Sequence, residues 1–373
     1  MVTRGDLVVP WYVPGMAGRW LSWLLVGLVP ACGGDSDGGG ADAGPGPDAD
    51  RRGWSAAPAL PEAVGNNAVA AVETAAGCVL VSATGIGAVR AAAAIHTRAW
   101  ILDAGAAGWA VLDDAPGPAR IAASAVALGG AVYLLGGYQV GADGGETTDT
   151  TVARLDLGTR QWQARAPLPI AIDDAVAVAW RDRWIVVVSG WSNTAPVAAV
   201  QLYDSTLDQW SAATPFPGAA VFGHAGALVG DELILVDGVT AGPRGFALTS
   251  QAWRGRLDPA APTAITWDEL PAHPAPARYR AAAGALAGQI VIHAGTDDPY
   301  NFDGHSYDTA RPSPPRADSL VLGADGVVAG VLPAKPVATM DHRALVTCGG
   351  AAFTIGGMVA GPAVTDQVWR YQP

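Results

Sequence analysis

VYLLGG (132–137) and WIVVVSG (184–190) are two copies of one phrase, a short β-branched and aromatic run that stops on glycine. Such side chains suit a pleated, half-buried strand, and the closing glycine marks a turn that needs a backbone without a Cβ. The phrase recurs as VLVSATG (79–85), LILVDG (233–238), IVIHAG (290–295) and FTIGG (353–357). The final glycines, Gly85, Gly137, Gly190, Gly238, Gly295 and Gly357, are separated by 52, 53, 48, 57 and 62 residues. A β-rich unit repeated six times at about fifty residues has the period of a propeller blade.

Working outward, each unit has a tryptophan followed by a proline turn. These are Trp54 before LP (60–61), Trp109 before Pro116, Trp162 before PLP (167–169), Trp210 before PFP (215–217) and Trp267 before LP (270–271). The fifth unit has only Val331 and LP (332–333), the weakest of the set. A tryptophan there fills the widening gap between adjacent blades. Runs of small residues precede the glycine phrases, as in AASAVAL (122–128), AVAVAW (175–180) and AAAGALA (281–287), and suit an innermost strand crowded at the axis. VARLDL (152–157) and VQLYDS (200–205) supply a further strand, giving four per unit. A lone Trp54-to-Leu60 segment comes first and VWRYQ (368–372) last. That phase predicts a ring in which the N-terminal segment becomes the outer strand of the last blade, leaving no free edge between the chain ends.

This double-glycine, aromatic-Asp, tryptophan and proline pattern resembles the kelch repeat over about 54–373. The resemblance implies an all-β, six-bladed kelch-type β-propeller with four strands per blade. It specifies fold rather than function.

Composition excludes several classes. With 34 acidic against 22 basic residues and a net charge of -12, the chain lacks the basic surface that a nucleic-acid backbone requires. No apolar run reaches the roughly 20 residues of a spanning helix. Residues 16–32, MAGRWLSWLLVGLVPAC, read as a signal peptide and resemble a bacterial lipoprotein signal, which implies lipidation of Cys32. The expected organisation is a signal over 1–31 with translation starting at Met16, a flexible Gly/Asp-rich tether over 32–53, and the propeller over 54–373. The expected location is the bacterial cell envelope, with membrane contact only through the N-terminal lipid, and the expected state is a monomer.

Cys78 and Cys348 precede the glycine phrases of units one and six, which a closed ring makes neighbours. Two readings stand: a disulfide across the closure, or two buried thiols. No CxxC pattern, cofactor signature or GxSxG elbow is present, and Asn301-x-Asp303-Gly304 matches a calcium loop only in part, with Pro299 at the first ligand position and Ala310 in place of the bidentate acid.

The loops entering the inner strands and leaving the second strands should share one face. The entries carry Asn67, Arg120, Asp173, Asp174, His224, Arg278, Arg280, Asp341, His342 and Arg343. Guanidinium groups bind carboxylates in bidentate fashion, so one reading is an anion-recognising funnel. The other is that these residues bridge blades or pair with the Asp residues beside them. The exits carry Tyr138, Trp191, Thr296, Asp297 and Asp298, and the long loop from 296 to about 317 adds Tyr300, Asn301, Phe302, Asp303, His305 and Tyr307. Arg120, Asp174, His224, Arg244, Arg280 and Arg343 are thus candidate ligand-binding groups, with Tyr138, Trp191, Tyr300 and Tyr307 as stacking surfaces for a carbohydrate-like or protein ligand.

Among kelch propellers, the layout most resembles the bacterial sialic acid epimerase (mutarotase) group. That resemblance implies a fourth-blade Glu as catalytic acid and an Arg that binds the sugar carboxylate. Here Arg244 matches the arginine, but Val239 stands in the Glu position, leaving Asp237, Asp297 or His224 as substitutes. The copper site of the galactose oxidase type has no matching Tyr/His set. A binding module is therefore the expected function, with an epimerase-like enzyme as the alternative.

Overall fold

The computed structural model describes residues 52–373. The signal, Met16, Cys32 and tether assignments fall on residues outside the described ones, apart from the last two of the tether. Six sheets surround one axis, and their innermost strands meet in a closed circle. Those strands are Ala68–Thr74, Ser124–Leu128, Val176–Trp180, Ala225–Val229, Ala282–Leu286 and Val346–Cys348. Each begins an antiparallel blade of four strands, as in Ser124–Leu128, Ala131–Leu135, Val152–Asp156 and Gln161–Arg165 of blade two, and blade one adds the short Val64–Gly65 beside its second strand. No α-helix occurs among the described residues. The chain is thus all-β and six-bladed, as the glycine period predicts.

Ring closure follows the predicted phase. Gly53–Ala57 pairs antiparallel with Val368–Gln372, with Trp54 opposite Tyr371, and forms the outer strand of blade six. Hydrogen bonding inside blade six thereby ties the two ends of the described chain together.

The glycine phrases make the blade-to-blade joints. The first member of each pair (Thr84, Gly136, Ser189, Asp237, Ala294, Gly356) and the glycine after it all have positive φ. At five of the six joints the second residue's N–H donates to a carbonyl of the next blade, as from Gly137 to Ile172 (2.9 Å) and from Gly190 to Val221 (2.8 Å). The last joint, from Gly357 to Val64 (2.9 Å), closes the circle. A Cβ at Gly190 would lie 2.6 Å from the Asp173 carbonyl, so both φ and space require glycine there.

The tryptophans stitch the rim. Trp109 Nε1 donates to the Pro58 carbonyl (2.8 Å), Trp162 to Asp113 (3.0 Å), Trp210 to Ala166 (2.8 Å), Trp267 to Thr214 (3.4 Å) and Trp54 to Pro333 (2.8 Å). Each indole reaches the segment that follows the preceding blade's outer strand. Blade five, the weak unit of the sequence, has no such tryptophan. Its outer strand, Val328–Gly330, is three residues long and follows a register shift at Val321/Leu322.

At the innermost strands, the turns of blades six and one meet. Cys78 and Cys348 are bonded through sulfur, with Cα atoms 5.7 Å apart.

Candidate functional site

The loop face is built from the inner-strand entries and second-strand exits, which pair with each other in every blade. Ile86 pairs with Gly65, Tyr138 with Ile121, Trp191 with Asp173, Val239 with Phe222, Thr296 with Tyr279 and Met358 with Met340. These bridges draw the exit residues over the axis. With Phe246 and Tyr300, the exit residues other than Thr296 belong to one buried apolar layer. Tyr138, Trp191 and Tyr300 are therefore core residues instead of exposed stacking faces. Their rings pack edge to face, as in Trp191 on Phe222 (5.3 Å) and Tyr300 on Tyr279 (5.2 Å). Tyr307 is half-buried, with its ring 4.5 Å from that of Phe246.

Beneath this layer lies a ring of six equivalent positions, Asn66, Ala122, Asp174, Gly223, Arg280 and Asp341, all with φ between 50° and 70°. Backbone bonds run from blade to blade: Asp174 N to Ala122 O (3.1 Å), Gly223 N to Asp174 O (2.8 Å) and Arg280 N to Gly223 O (2.8 Å). Left-handed backbone turns these side chains toward one another, and they fill the axis with paired charges. Arg280 grips Asp174 in bidentate fashion (3.2 and 2.8 Å) and reaches Asp341 at 3.4 Å. Arg343 bonds Asp174, Asp341 (3.2 Å) and the Asn66 side-chain oxygen (2.7 and 3.0 Å). Tyr300 donates to Asp341 (3.3 Å), and Arg280 lies 4.9 Å from the Tyr279 ring centroid.

The Arg280, Asp174 and Asp341 side chains are 0% exposed. Burial disfavours the Arg280 charge, yet Asp174 together with Tyr279, Tyr138 and Asp341 outweighs it, so Arg280 stays protonated with its pKa well above the ordinary value. Burial pushes the Asp341 carboxyl up, against the pull of Arg280 and Arg343. Two guanidinium groups face two carboxylates, so the cluster carries no net charge to attract an anion.

The remaining candidates divide sharply. Arg120 is buried, with three bonds to the carbonyls of Gly136 (2.9 Å), Pro116 (2.9 Å) and Pro118 (3.0 Å). Desolvation lowers its pKa to about 10. Arg278, at the same position of blade five, reaches Ala294 O (3.1 Å) and the Asp318 carboxylate (2.6 Å). Both are latches inside a blade. His224 is buried, which lowers its pKa to about 4 and keeps it neutral. Arg244 alone among the arginine candidates is exposed, between the hairpin strands Val239–Gly242 and Gly245–Leu248 of blade four.

The candidate acids for sugar chemistry are engaged. Asp237 accepts from the Arg278 backbone (3.0 Å) and lies 2.8 Å from His273 Nε2. Asp297 pairs with Arg316 at 3.1 Å. Val239, in the position of the epimerase Glu, is fully buried.

The long fifth-blade loop crosses the face. Asp298 ties its two arms through Ser306 (2.6 Å) and Ser313 (3.2 Å), and the Asp303 carbonyl accepts from Arg90 of blade one (2.6 Å). A channel of about 220 Å³ runs between the innermost strands, lined mainly by Ala, Val and Gly and reaching His224 and Arg343. Among the described residues no His/Cys/Asp/Glu group is arranged to hold a metal.

Asn66, Tyr279 and Lys335 are structural partners that carry no site motif in the sequence. The signal for Asn66 and Tyr279 is positional, since they neighbour Arg280 and Asp341 in the aligned repeats.

Comparisons with known proteins agree with this architecture. The chain is 29% identical over 110 residues to Kelch-like protein 15 of Gallus gallus, covering 30% of this chain and 22% of that protein. It is 32% identical over 150 residues to Kelch domain-containing protein 9 of Homo sapiens, covering 39% and 42% respectively. It thus spans less than half the length of these relatives. The solved structure of YjhT superposes with a TM-score of 0.68 at 16% identity, over 84% of this chain and 96% of that one. No family model matches. The fold is a six-bladed β-propeller, and the kelch-named relatives support a kelch repeat.

Proposed function

We propose that this propeller is a protein-binding module that grips its partner with the loop face, held at the bacterial envelope by lipid on Cys32. The observation that carries the reading is the closed axis of that face. The charged groups a sugar acid would need are neutralised against one another and lie under an aromatic layer. What remains exposed is broad and mixed, including Arg244 on blade four, Asn193 and Thr194 on blade three, and Val89 on blade one, which is 79% exposed. A wide surface with few deep pockets suits a protein partner, whereas small ligands favour enclosed sites. Kelch-named relatives and the propeller fold support a binding role in general. An epimerase-like role would require a free acid near Arg244, whereas Asp237 is bonded to His273 and the Arg278 backbone, Asp297 pairs with Arg316, and His224 is buried and neutral.

The test is cross-linked capture from an envelope extract by wild type and by the double variant Val89→Asp/Arg244→Glu. Both positions are solvent-facing, so stability should change by no more than about 0.5 kcal/mol. A defined protein enriched by wild type and reduced roughly tenfold by the variant, a loss of about 1.4 kcal/mol, is expected. Saturable binding of a sugar acid, with capture unaffected by the variant, would overturn the reading.

Anchoring rests on the lipoprotein-type segment 16–32. Metabolic labelling with a radioactive fatty acid should mark the wild type and not Cys32→Ser. Equal labelling of both would remove the anchor.

A further inference from the structure

The seam between blades five and six encloses a group of basic side chains. Lys335, the chain's sole lysine, is buried there, and its Nζ donates to the hydroxyls of Thr339 and Thr354 (3.1 Å to the latter). The Thr339 hydroxyl lies 2.8 Å from His342 Nε2, continuing the chain of bonds into blade six. On the blade-five side, His293 is buried with Nδ1 2.8 Å from the Ser319 hydroxyl. Its ring lies 4.6 Å from that of Trp54, on the ring-closing strand, and the same indole faces the Lys335 ammonium at 5.9 Å. Three bases thus share one enclosed seam.

The charged groups that face them are also cationic or already paired. Arg278 acts on His293 and is bound to Asp318, and Arg343 acts on His342 and is bound to Asp174 and Asp341. Among the described residues, no carboxylate bonds Lys335, His293 or His342.

We propose that this seam is an acid-sensitive joint: protonation of Lys335, His342 and His293 loads it with unpaired positive charge and loosens the closing strand Gly53–Ala57 before the rest of the ring.

The direction follows from burial. Desolvation lowers the Lys335 amine from 10.5 to about 7. Desolvation first, and then the Lys335 charge, hold His293 and His342 well below 6.5. A base whose pKa is lower folded than unfolded binds fewer protons when folded. Its stabilising contribution is full above the unfolded value and is lost as pH falls toward the folded one. The Lys335 window therefore runs from about 10.5 down to about 7, and the histidine windows open at 6.5 and extend below it. Across pH 8 to 5 the seam weakens continuously. The axial Arg–Asp pairs are charge-compensated and resist the same change.

Hydrogen exchange of the full chain at pH 8 and pH 5, corrected for intrinsic rates, tests the proposal. Amides of Gly53–Ala57 and Val368–Gln372 are expected to lose roughly tenfold more protection on acidification than those of Trp184–Val188 in blade three. Equal loss in the two regions overturns it whatever any variant does. Lys335→Met, which keeps the stem without the charge, should remove most of the excess loss. His293→Phe, which keeps a ring on Trp54, should remove part of it and carries the variant test if Lys335→Met does not fold. Undiminished acid sensitivity in a folded variant also overturns the joint.

Discussion

Arg280→Ala is expected to destabilise the propeller by about 3–5 kcal/mol, the range for stripping one partner from a buried ion pair. Arg280 is enclosed between Asp174, Asp341 and the rings of Tyr279 and Tyr300, so its loss leaves two carboxylates sharing only Arg343. Those carboxylates must then take up protons or open the aromatic layer to water. Urea unfolding at pH 7 measures the effect, with Arg244→Ala as the exposed control expected within about 0.5 kcal/mol of wild type. Equal stability of the two variants would mean that the axial cluster is not structural, and Arg280 would return as a ligand-binding residue.

Cys78→Ser is expected to remove about 4 kcal/mol, which for a ring of this size lowers Tm by roughly 6 °C. The bond spans 270 residues, so in the chain-entropy account it constrains nearly the whole unfolded propeller. It also fastens the innermost strand of blade six to the start of blade one's second strand, whereas the Gly53–Ala57 pairing fastens the outer edge. Closure is thus held at both radii of the ring. Intact mass should rise by about 2 Da on reduction of the wild type, and calorimetry with and without reductant should reproduce the variant's shift. An unchanged mass would mean two thiols and leave closure to the hydrogen-bonded strand alone.

Much of this was legible in the residues. The glycine phrase is local chemistry: Gly190 must adopt φ 120° with a carbonyl where its Cβ would sit, so each joint writes itself into the sequence. The tryptophans are equally direct, since one indole per blade bonds the preceding blade, and the missing one coincides with the irregular fifth outer strand. The candidate site was harder to read. Arg120, Arg280 and Arg343 occupy entries that the repeat correctly assigns to the loop face, but an entry position does not say which way its side chain turns. At Arg280 a left-handed backbone turns it inward onto Asp174, a residue 106 positions earlier. Tyr138 and Trp191 follow the glycines in the same register, and their bridges to Ile121 and Asp173 fold them over the axis. Arg244, in the turn of the blade-four exit hairpin, is exposed.

The sequence by itself determined the blade count, the strand number per blade, the closing strand and the weak unit. Each is set by spacing and by residues that act within one repeat or on its neighbour. Only the tertiary structure decided that the axis is sealed by paired charges, that the aromatic residues are core and that Lys335 meets two histidines at a blade seam. Those outcomes depend on side chains from several repeats converging on one point, and the period of a repeat carries no information about how such side chains compensate one another's charge.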